Sequence, residues 1–597
     1  MKLSKLYTNM PDRFAAVTFR PGLNVVLAEI RLPENRAKDT HNLGKTLLGR
    51  VIDFCLLSRK DRQFSLFKHK ELFKDFVFFL EIALIDGSFV TVRREVAEPS
   101  KASLKRHLER HQDYVVLSET AWDHHRIAFD KAKEILDGTL DLRDLGGWSY
   151  RKLAGYLLRS QDDFRDVYQL RQFASSHSAW KPMLAHLLGF DGSIVEQHYA
   201  KEEELDARQN EEKVIKRELG GTDADWTMVE GKLLLKERDA QKKQTFVDSF
   251  DFRRADKEKT KIIVEELDGE IARLNQDRYS LSLSRTRLTA SLADDVILFD
   301  PSKAQALFAE SGVLFAGQIK KDFEQLVSFN RAIADERREY LKEELAEVGR
   351  DLQRINGELS RLGKRRKDEL AFLASSDVFA KYKQLSGELV TLRADIDSLR
   401  RQLAGLSRLR DLRNSIRALV DEKAQVEAEM DRDVRLQHEK RNAFETTRVF
   451  FNQVVENVID RKALLGVSLN QRGHLEFKAE ILDDSGNTTS ADAGHTYRKL
   501  LCVAFDLAIA RAHIQGRYPR FVFHDGVFES LDDRKKLNLM SVIREHCALG
   551  IQHIITLIDS DLPAAILPDE PFFHDSEIIL RLHDEDESGR LFKMAAW

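Results

Sequence analysis

The chain has 597 residues, more than one hydrophobic core can organise, so several folding units are expected. Charged residues make up 32% of the chain, above the ~25% typical of globular domains, and prolines are few, which indicates long exposed helices. The net charge of −4 excludes a globally polycationic nucleic-acid binder, so any nucleic-acid contact would need a local basic patch.

Cysteine usage and hydropathy bear on the compartment. Cys55, Cys502 and Cys547 are isolated and follow no zinc or disulfide spacing, which predicts a reducing, cytoplasmic location. The first residues have no apolar stretch typical of a signal peptide. The most apolar run, 76–85, is short and contains Glu81, so it predicts a buried strand and no membrane partner.

The first chemical motif is the pentapeptide Asn42-Leu43-Gly44-Lys45-Thr46, which lies between an apolar strand pattern and an apolar helix pattern. This order is typical of a phosphate-binding P-loop, in which Lys45 reaches the β/γ-phosphates and the Thr46 hydroxyl binds Mg²⁺. The amides around Gly44 would cradle phosphate at the helix N-terminus. The full motif has a glycine where this chain has Asp39, so a surface turn with a solvated lysine is the alternative.

The rest of the first 200 residues predicts a mixed α/β lobe. Residues 19–27 read as two strands around a Pro-Gly turn, and 76–94 as a β-hairpin around Asp86-Gly87. Aromatic residues and leucines at helical spacing predict helix over much of 145–200.

Between 201 and 445 the composition changes to Glu, Lys, Arg, Leu and Gln, and two heptad seams of equal length appear. We expect an antiparallel coiled-coil hairpin with its tip near 363–384, pairing 341–362 with 385–406, and an insert or elbow near 289–340. An ordinary helical bundle is the alternative. The seams consist of Leu341, Leu345, Val348, Leu352, Ile355, Leu359 and Leu362, and of Leu385, Leu389, Leu392, Ile396, Leu399, Leu403 and Leu406.

Residues 446–597 predict a second α/β lobe. Two strands are followed by the peptide Ser490-Ala491-Asp492-Ala493-Gly494-His495 and a strongly apolar helix. An apolar strand then ends at Asp525, in the position where P-loop enzymes hold Mg²⁺. A further buried strand, 551–558, ends before Asp559.

In this order of motifs the chain resembles the coiled-coil ABC ATPases of the SMC/RecN/RecF type. Residues 19–27 resemble the first hairpin of that family, and Ser490–His495 lie where its signature motif belongs. Asp525 matches the magnesium-site aspartate, and Ser530-Leu531-Asp532 matches the D-loop. The fold class implied is an α/β ABC-type ATPase head assembled from the N- and C-terminal lobes, with a long antiparallel α-helical coiled coil inserted between them.

Within this group the chain resembles the SMC-like ATPases of bacterial anti-phage operons, such as the ABC-three-component and Lamassu-like systems. That narrower resemblance rests on the expanded loop before Gly44, the degenerate signature and the peptide His524-Asp525-Gly526-Val527-Phe528. It implies a homodimer of heads that sandwiches ATP and Mg²⁺, with Ser490 and Gly494 of one subunit meeting the phosphate held by Lys45 of the other.

The family also implies contacts for Gln161 and Asp532. Gln161 is the best match for the Q-loop glutamine, which touches nucleotide and metal, although an ordinary surface glutamine is an equal alternative. Asp532 belongs to the nucleotide-binding set together with Asn42 and Leu43.

Three departures from the family affect catalysis. Gly526 stands where the family has its general-base glutamate, and the switch histidine is missing because Leu557 follows Thr556. Glu529 is the candidate replacement base, beside Asp525, and a solvated helix-cap residue is its alternative. The resemblance therefore implies ATP binding with slow or activated hydrolysis.

Three functions remain open at this stage. The first is a DNA-sensing ATPase that regulates a nuclease-type effector or accessory subunit of its operon. The second is a nucleotide-binding scaffold without significant hydrolysis, and the third is a housekeeping DNA repair or recombination ATPase. Basic residues 364–367, at the predicted tip, are a candidate DNA contact, although a solvated coiled-coil face explains them as well.

Overall fold

The structure is a computed structural model that describes all residues except 36–42, 174–175, 220–224, 250–254, 294–316, 372–376, 440–441, 484, 489–493, 564–571 and 596–597. The chain divides into a head unit, Met1–Glu202 with Glu422–Trp597, and a helical unit, Glu203–Asp421. Among the helices in these described ranges, none is both long and apolar enough to cross a membrane.

Strands occur only toward the two ends of the described chain, and the longest helices lie between them. The strands are β1 (Lys2–Thr8), β2 (Val17–Thr18), β3 (Leu23–Glu29), β4 (Val77–Ala83), β5 (Phe89–Glu95), β6 (Lys101–His107), β7 (His124–Ala128), β8 (Leu158–Arg159), β9 (Ala463–Leu469), β10 (Leu475–Ile481), β11 (Phe521–Asp525), β12 (Gln552–Ile558) and β13 (Ile578–His583). The described helices are α1 (Lys45–Cys55), α2 (Ser65–Lys68), α3 (Lys70–Phe73), α4 (Phe129–Leu140), α5 (Tyr150–Leu157), α6 (Lys181–Leu187), α7 (Gly192–Glu218), α8 (Trp226–Asp248), α9 (Ala255–Ala293), α10 (Gly317–Ala371), α11 (Asp377–Glu439), α12 (Ala443–Ile459), α13 (His495–Ala512) and α14 (Asp533–Ala548).

A five-stranded parallel sheet joins the two ends of the chain in the head unit. Its order is β13-β3-β12-β11-β8, so strands from the first and last thirds of the sequence pair within one sheet. All five residues of β11 are buried, as is usual for parallel strands that are covered on both faces.

β8 lies within the segment predicted to be helical, where only two residues, Leu158 and Arg159, pair with β11. A strand this short leaves no periodic signal in the sequence.

The second sheet of the head unit is antiparallel, with the order β2-β1-β4-β5-β6-β7. The predicted hairpin at 76–94 is confirmed as β4 and β5, and Gly87 in its turn has φ +87°. Helix α1 contacts strands of both sheets, and Phe592 near the C-terminus packs against Phe14 and Phe76. The core therefore combines residues from the two ends of the chain.

The C-terminal lobe follows the predicted element order. β9 and β10 form an antiparallel hairpin, α13 is buried from Lys499 to Ala510, and β11 and β12 pair in parallel. A mixed α/β head with long helices in mid-chain is thus confirmed at this coarse level of the fold class.

The helical unit contains more chain reversals than one hairpin of two helices. α10 packs along α9, and the apolar residues Val264 and Leu267 of α9 are buried. α8 is joined to α11 by ion pairs such as Lys236–Asp395, at 2.7 Å. α9 is therefore a partner for the heptad seam of α10. In a hairpin of two helices, α11 would be the only partner of that seam.

Near the predicted tip, side chains of α10 and α11 contact each other. The Arg366 guanidinium donates to the Ser386 hydroxyl at 3.2 Å, and Ser386 donates to Asp268 of α9 at 2.6 Å. Residues 372–376 between these two helices, and 294–316 of the insert predicted near 289–340, lie outside the described residues. The rest of that predicted insert is helical and belongs to α9 and α10.

Candidate functional site

The connection from β3 to α1 ends in a glycine with a left-handed backbone. Gly44 has φ +103°, and a Cβ there would lie 2.6 Å from the Leu591 Cβ. The Leu591 N–H donates to the Leu43 carbonyl at 2.9 Å, so the C-terminal segment braces this turn. Both the backbone angle and the close packing require glycine. Asn42 and Asp39 lie outside the described residues.

Lys45 is the first residue of α1 and is buried, with 9% of its surface exposed. Burial lowers the pKa of Lys45, whereas the Asp525 and Glu529 carboxylates oppose that change, together with Asp559 and Asp561. The ammonium group therefore lies in a desolvated and predominantly acidic pocket beside a helix N-terminus. An anion at the unsatisfied N–H groups of α1 would find both a dipole and a cation.

Thr46 and Asp525 meet although 479 residues separate them in the chain. The Thr46 hydroxyl donates to Asp525 Oδ2 at 2.6 Å, and the Thr556 hydroxyl donates to Asp525 Oδ1 at 2.5 Å. Asp525 is fully buried at the carboxyl end of β11, directly opposite Thr556 of β12. Because parallel strands present their carboxyl ends at one sheet edge, the α1 N-terminus and this carboxylate share that edge.

Glu529 lies beside the same edge and is held by two side chains. The Gln161 side-chain amide donates to Glu529 Oε1 at 2.8 Å. The Lys499 ammonium lies 3.4 Å from Glu529 Oε2 and donates to the Gly526 carbonyl at 2.9 Å. Burial raises the pKa of Glu529, although the positive charge of Lys499 opposes that rise.

The Glu529 carboxylate occupies the space that a side chain at position 526 would need. A Cβ on Gly526 would lie 2.5 Å from Glu529 Oε1 and 2.8 Å from the Gln161 amide nitrogen. Gly526 also has φ +65°, which disfavours any side chain. The alternative of a helix-cap role for Glu529 is wrong, because α14 begins at Asp533 and is capped by Asp532.

The remaining predicted site residues are positioned as follows. Asp532 Oδ1 accepts from the Lys535 N–H at 3.0 Å, so its side chain is engaged in capping α14. Gly494 is the N-cap residue of α13, the helix that carries Lys499. Ser490 lies outside the described residues. The structure therefore brings five predicted residues of a single chain close to one another: Lys45, Thr46, Asp525, Glu529 and Gln161.

A buried polar network behind β11 was not predicted. Arg159 and Asp506 are 0% and 1% exposed at their side chains, and they pair through two hydrogen bonds of 2.7 and 2.8 Å. Although burial opposes it, the Asp506 carboxylate raises the pKa of Arg159 above its usual value. Polar residues inside otherwise apolar segments were the available signal for this pair.

Two histidines extend this network across the parallel sheet. His524 Nε2 lies 3.1 Å from Asp506 Oδ2, and His524 Nδ1 lies 2.8 Å from His553 Nε2. Burial lowers the pKa of both histidines, which is consistent with neutral rings that each donate one hydrogen bond along the chain of contacts. The network connects β8, which leads to Gln161, with α13 and β11.

Comparison with known proteins finds a family model and solved structures of low sequence identity. A family model described as an uncharacterised protein conserved in bacteria (DUF2326) matches residues 454–596, a segment that contains Asp525 and Glu529. No curated protein matches the chain.

Two solved structures align with most of this chain. One is an Smc head domain with a coiled coil and joint from Pyrococcus yayanosii, at 15% identity and a TM-score of 0.36, covering 93% of this chain and 92% of that one. The other is an Smc head domain with an extended coiled coil, bound to the C-terminal domain of ScpA, from Pyrococcus furiosus, at 12% identity and a TM-score of 0.31, covering 94% and 90%. Such low TM-scores do not establish a shared fold, so function has to be argued from the site itself.

Proposed function

We propose that the head unit binds ATP with Mg²⁺ and hydrolyses it slowly, as an SMC-like ATPase. The observation that carries the proposal is the 2.6 Å hydrogen bond between the Thr46 hydroxyl and Asp525. A hydroxyl at the start of a glycine-preceded helix and a buried carboxylate at a strand end are the two groups that a P-loop enzyme directs at Mg²⁺. Their proximity is consistent with a shared metal site.

The residues at this edge fit a nucleotide phosphate chain. The N–H groups at the start of α1 and the Lys45 ammonium would bind phosphate oxygens, and Thr46 with Asp525 would hold the cation. The Lys45 ammonium would pair with phosphate oxygens, and a cation held by Thr46 and Asp525 would offset the negative charge of the carboxylates around it. When bound, Mg²⁺ supplies charge neutralisation for the phosphate oxygens.

Glu529 is the proposed general base. Its carboxylate would accept the proton of the attacking water, and the Gln161 amide and the Lys499 ammonium would orient it. Burial raises the pKa of Glu529 toward the operating pH, which suits proton transfer. The proposed base therefore stands at position 529, whereas the family has its base at the position of Gly526.

The wider role follows from the family resemblance. ATP would join two heads, with Ser490 and Gly494 of one subunit completing the site of the other, and DNA sensing would regulate an effector in bacterial defence. In the helical unit, Lys364, Arg365 and Lys367 are exposed and could contact a phosphate backbone, whereas Arg366 is paired with Asp268 at 2.6 Å.

A scaffold that binds nucleotide without turning it over is the second candidate. The absence of a side chain at Gly526, where the family has its base, favours it. A housekeeping DNA repair ATPase would use the same head chemistry.

ATP turnover with and without DNA separates the enzyme from the scaffold. We expect the full chain to release phosphate faster than its Lys45→Ala variant, and addition of DNA and operon partners to increase the difference. Nucleotide binding without any turnover above Lys45→Ala would support the scaffold, and absence of nucleotide binding would refute the proposal.

A further inference from the structure

A cluster of metal-ligating side chains lies in the head unit on elements that the phosphate site does not use. His198 and Glu202 are one turn apart on α7, and His474 lies in the turn between β9 and β10. One ligand atom from each residue can be chosen so that all three lie within 4.8 Å of one another. We propose that these three side chains bind a divalent transition-metal ion of the Zn²⁺ class.

The donor set suits such an ion. Two imidazoles and one carboxylate are a common zinc-ligand combination, and ligand atoms at ~2.0–2.2 Å from tetrahedral zinc stand about 3.4 Å from one another. His474 Nε2 lies 2.9 and 3.0 Å from the two carboxylate oxygens of Glu202. The three ligand atoms would have to close from a spacing of up to 4.8 Å to about 3.4 Å for tetrahedral coordination.

His198 has the hydrogen-bond pattern of a metal-ligating histidine. Its side chain is fully buried, and its Nε2 lies 3.1 Å from Glu427 Oε1. With a proton on Nε2 shared with that carboxylate, Nδ1 carries a lone pair, and it is a buried atom without a hydrogen-bond partner among the described residues. Ligating histidines commonly donate their second nitrogen to a carboxylate in this way.

The turn that carries His474 is built for a close approach to the helices. Gly473 has φ +75°, and a Cβ there would lie 2.4 Å from Glu427 Oε1. The left-handed backbone favours glycine at this position, and the turn lies close to the Glu427 side chain of α11. A bound ion would fasten this turn to α7, with Glu427 of α11 supporting it from outside the ligand set.

Lys423 is the cation that such an ion would have to displace. Its ammonium lies 3.4 Å from Glu202 Oε1 and 3.6 Å from Glu427 Oε1. Because Lys423 contacts both carboxylates, it can remain ion-paired with Glu427 while Glu202 binds the metal. Its positive charge still opposes metal binding, so removal of this charge is expected to tighten the site.

Cobalt titration of the full chain tests the proposal, since Co²⁺ replaces Zn²⁺ and reports its coordination by visible absorption. After chelation and dialysis, we expect one Co²⁺ per chain, an intense band typical of four or five ligands, and displacement by Zn²⁺. His474→Ala should weaken binding by more than the ~10–100-fold that loss of an outer-shell partner costs, and Glu427→Gln should fall within that range. Lys423→Met should bind more tightly than the natural chain.

Two control variants exclude other sources of the signal. His574→Ala removes an exposed histidine and should leave the titration unchanged. Asp525→Asn alters the proposed Mg²⁺ site and should also leave the cobalt band intact. Failure of the nucleotide proposal can therefore be distinguished from failure of the metal-site proposal. The proposal is overturned if the natural chain shows no cobalt band, or if the natural chain and His474→Ala bind Co²⁺ with equal affinity. Either result would mean that the three side chains form hydrogen bonds and bind no metal.

Discussion

Gln161 donates its side-chain amide to Glu529 at 2.8 Å across 368 residues of sequence. A Cβ at Gly526 would lie 2.5 Å from Glu529 Oε1 and 2.8 Å from the Gln161 amide nitrogen, so a side chain there would require this pair to move. The contact therefore connects the predicted Q-loop glutamine with a carboxylate that approaches position 526. It gives the proposed reaction a base and an orienting partner, although the usual glutamate is absent.

Replacement of the base should separate binding from turnover. We expect Glu529→Gln to bind ATP with unchanged affinity and to lose ~10²–10⁴-fold in hydrolysis rate, because the amide cannot accept the proton of water. Phosphate release and equilibrium nucleotide binding measure the two effects. Glu545→Gln, a change on the exposed side of α14, is the matched control and should leave both quantities unchanged.

The pH dependence of turnover should report the raised pKa of Glu529. A carboxylate must be deprotonated to act as base, so the rate should fall as the pH drops through its pKa. Because burial raises that pKa, the fall should occur at a higher pH than the ~4.3 typical of glutamate. A rate profile that remains flat down to the ordinary glutamate value would argue against this residue.

Restoring the family's glutamate should harm this protein. In Gly526→Glu the new Cβ would overlap Glu529 and Gln161, and the left-handed backbone would cost about 1–2 kcal/mol. We expect a lower midpoint of urea unfolding and lower turnover. An increase in hydrolysis would show that the base belongs at 526 and that Glu529 is dispensable.

Loss of the Lys45 ammonium should weaken ATP binding by ~10–100-fold, because a hydrogen bond to a charged group contributes about 1.5–3 kcal/mol. Fluorescence titration with a labelled ATP analogue measures the change in Lys45→Ala. Lys70→Ala, at an exposed lysine, provides the control. Equal affinity in both variants would place the nucleotide elsewhere or nowhere on the chain.

The buried pair of Arg159 and Asp506 should be costly to break from one side. Asp506→Ala leaves a buried guanidinium without its carboxylate, so we expect a loss of about 3–5 kcal/mol in the free energy of unfolding. Urea unfolding by circular dichroism tests this. The double variant Arg159→Met/Asp506→Leu should recover part of the loss, and the exposed change Glu71→Gln should have no measurable effect.

The sequence could predict the elements whose signals are local. The Asp86-Gly87 turn and the apolar strand before Asp525 were both readable from neighbouring residues. Leu591 against Gly44 and Arg159 against Asp506 were not, because each contact joins segments hundreds of residues apart. The packing of α10 along α9 was missed for a related reason, since a heptad seam shows that a helix has a partner but not which one.

A structure of the full chain with a non-hydrolysable ATP analogue and Mg²⁺ tests the central claim most directly. The account predicts phosphate at the N-terminus of α1, Lys45 in contact with it, and Mg²⁺ between the Thr46 hydroxyl and Asp525. Nucleotide bound away from Lys45, or Mg²⁺ held without Thr46 and Asp525, would contradict it.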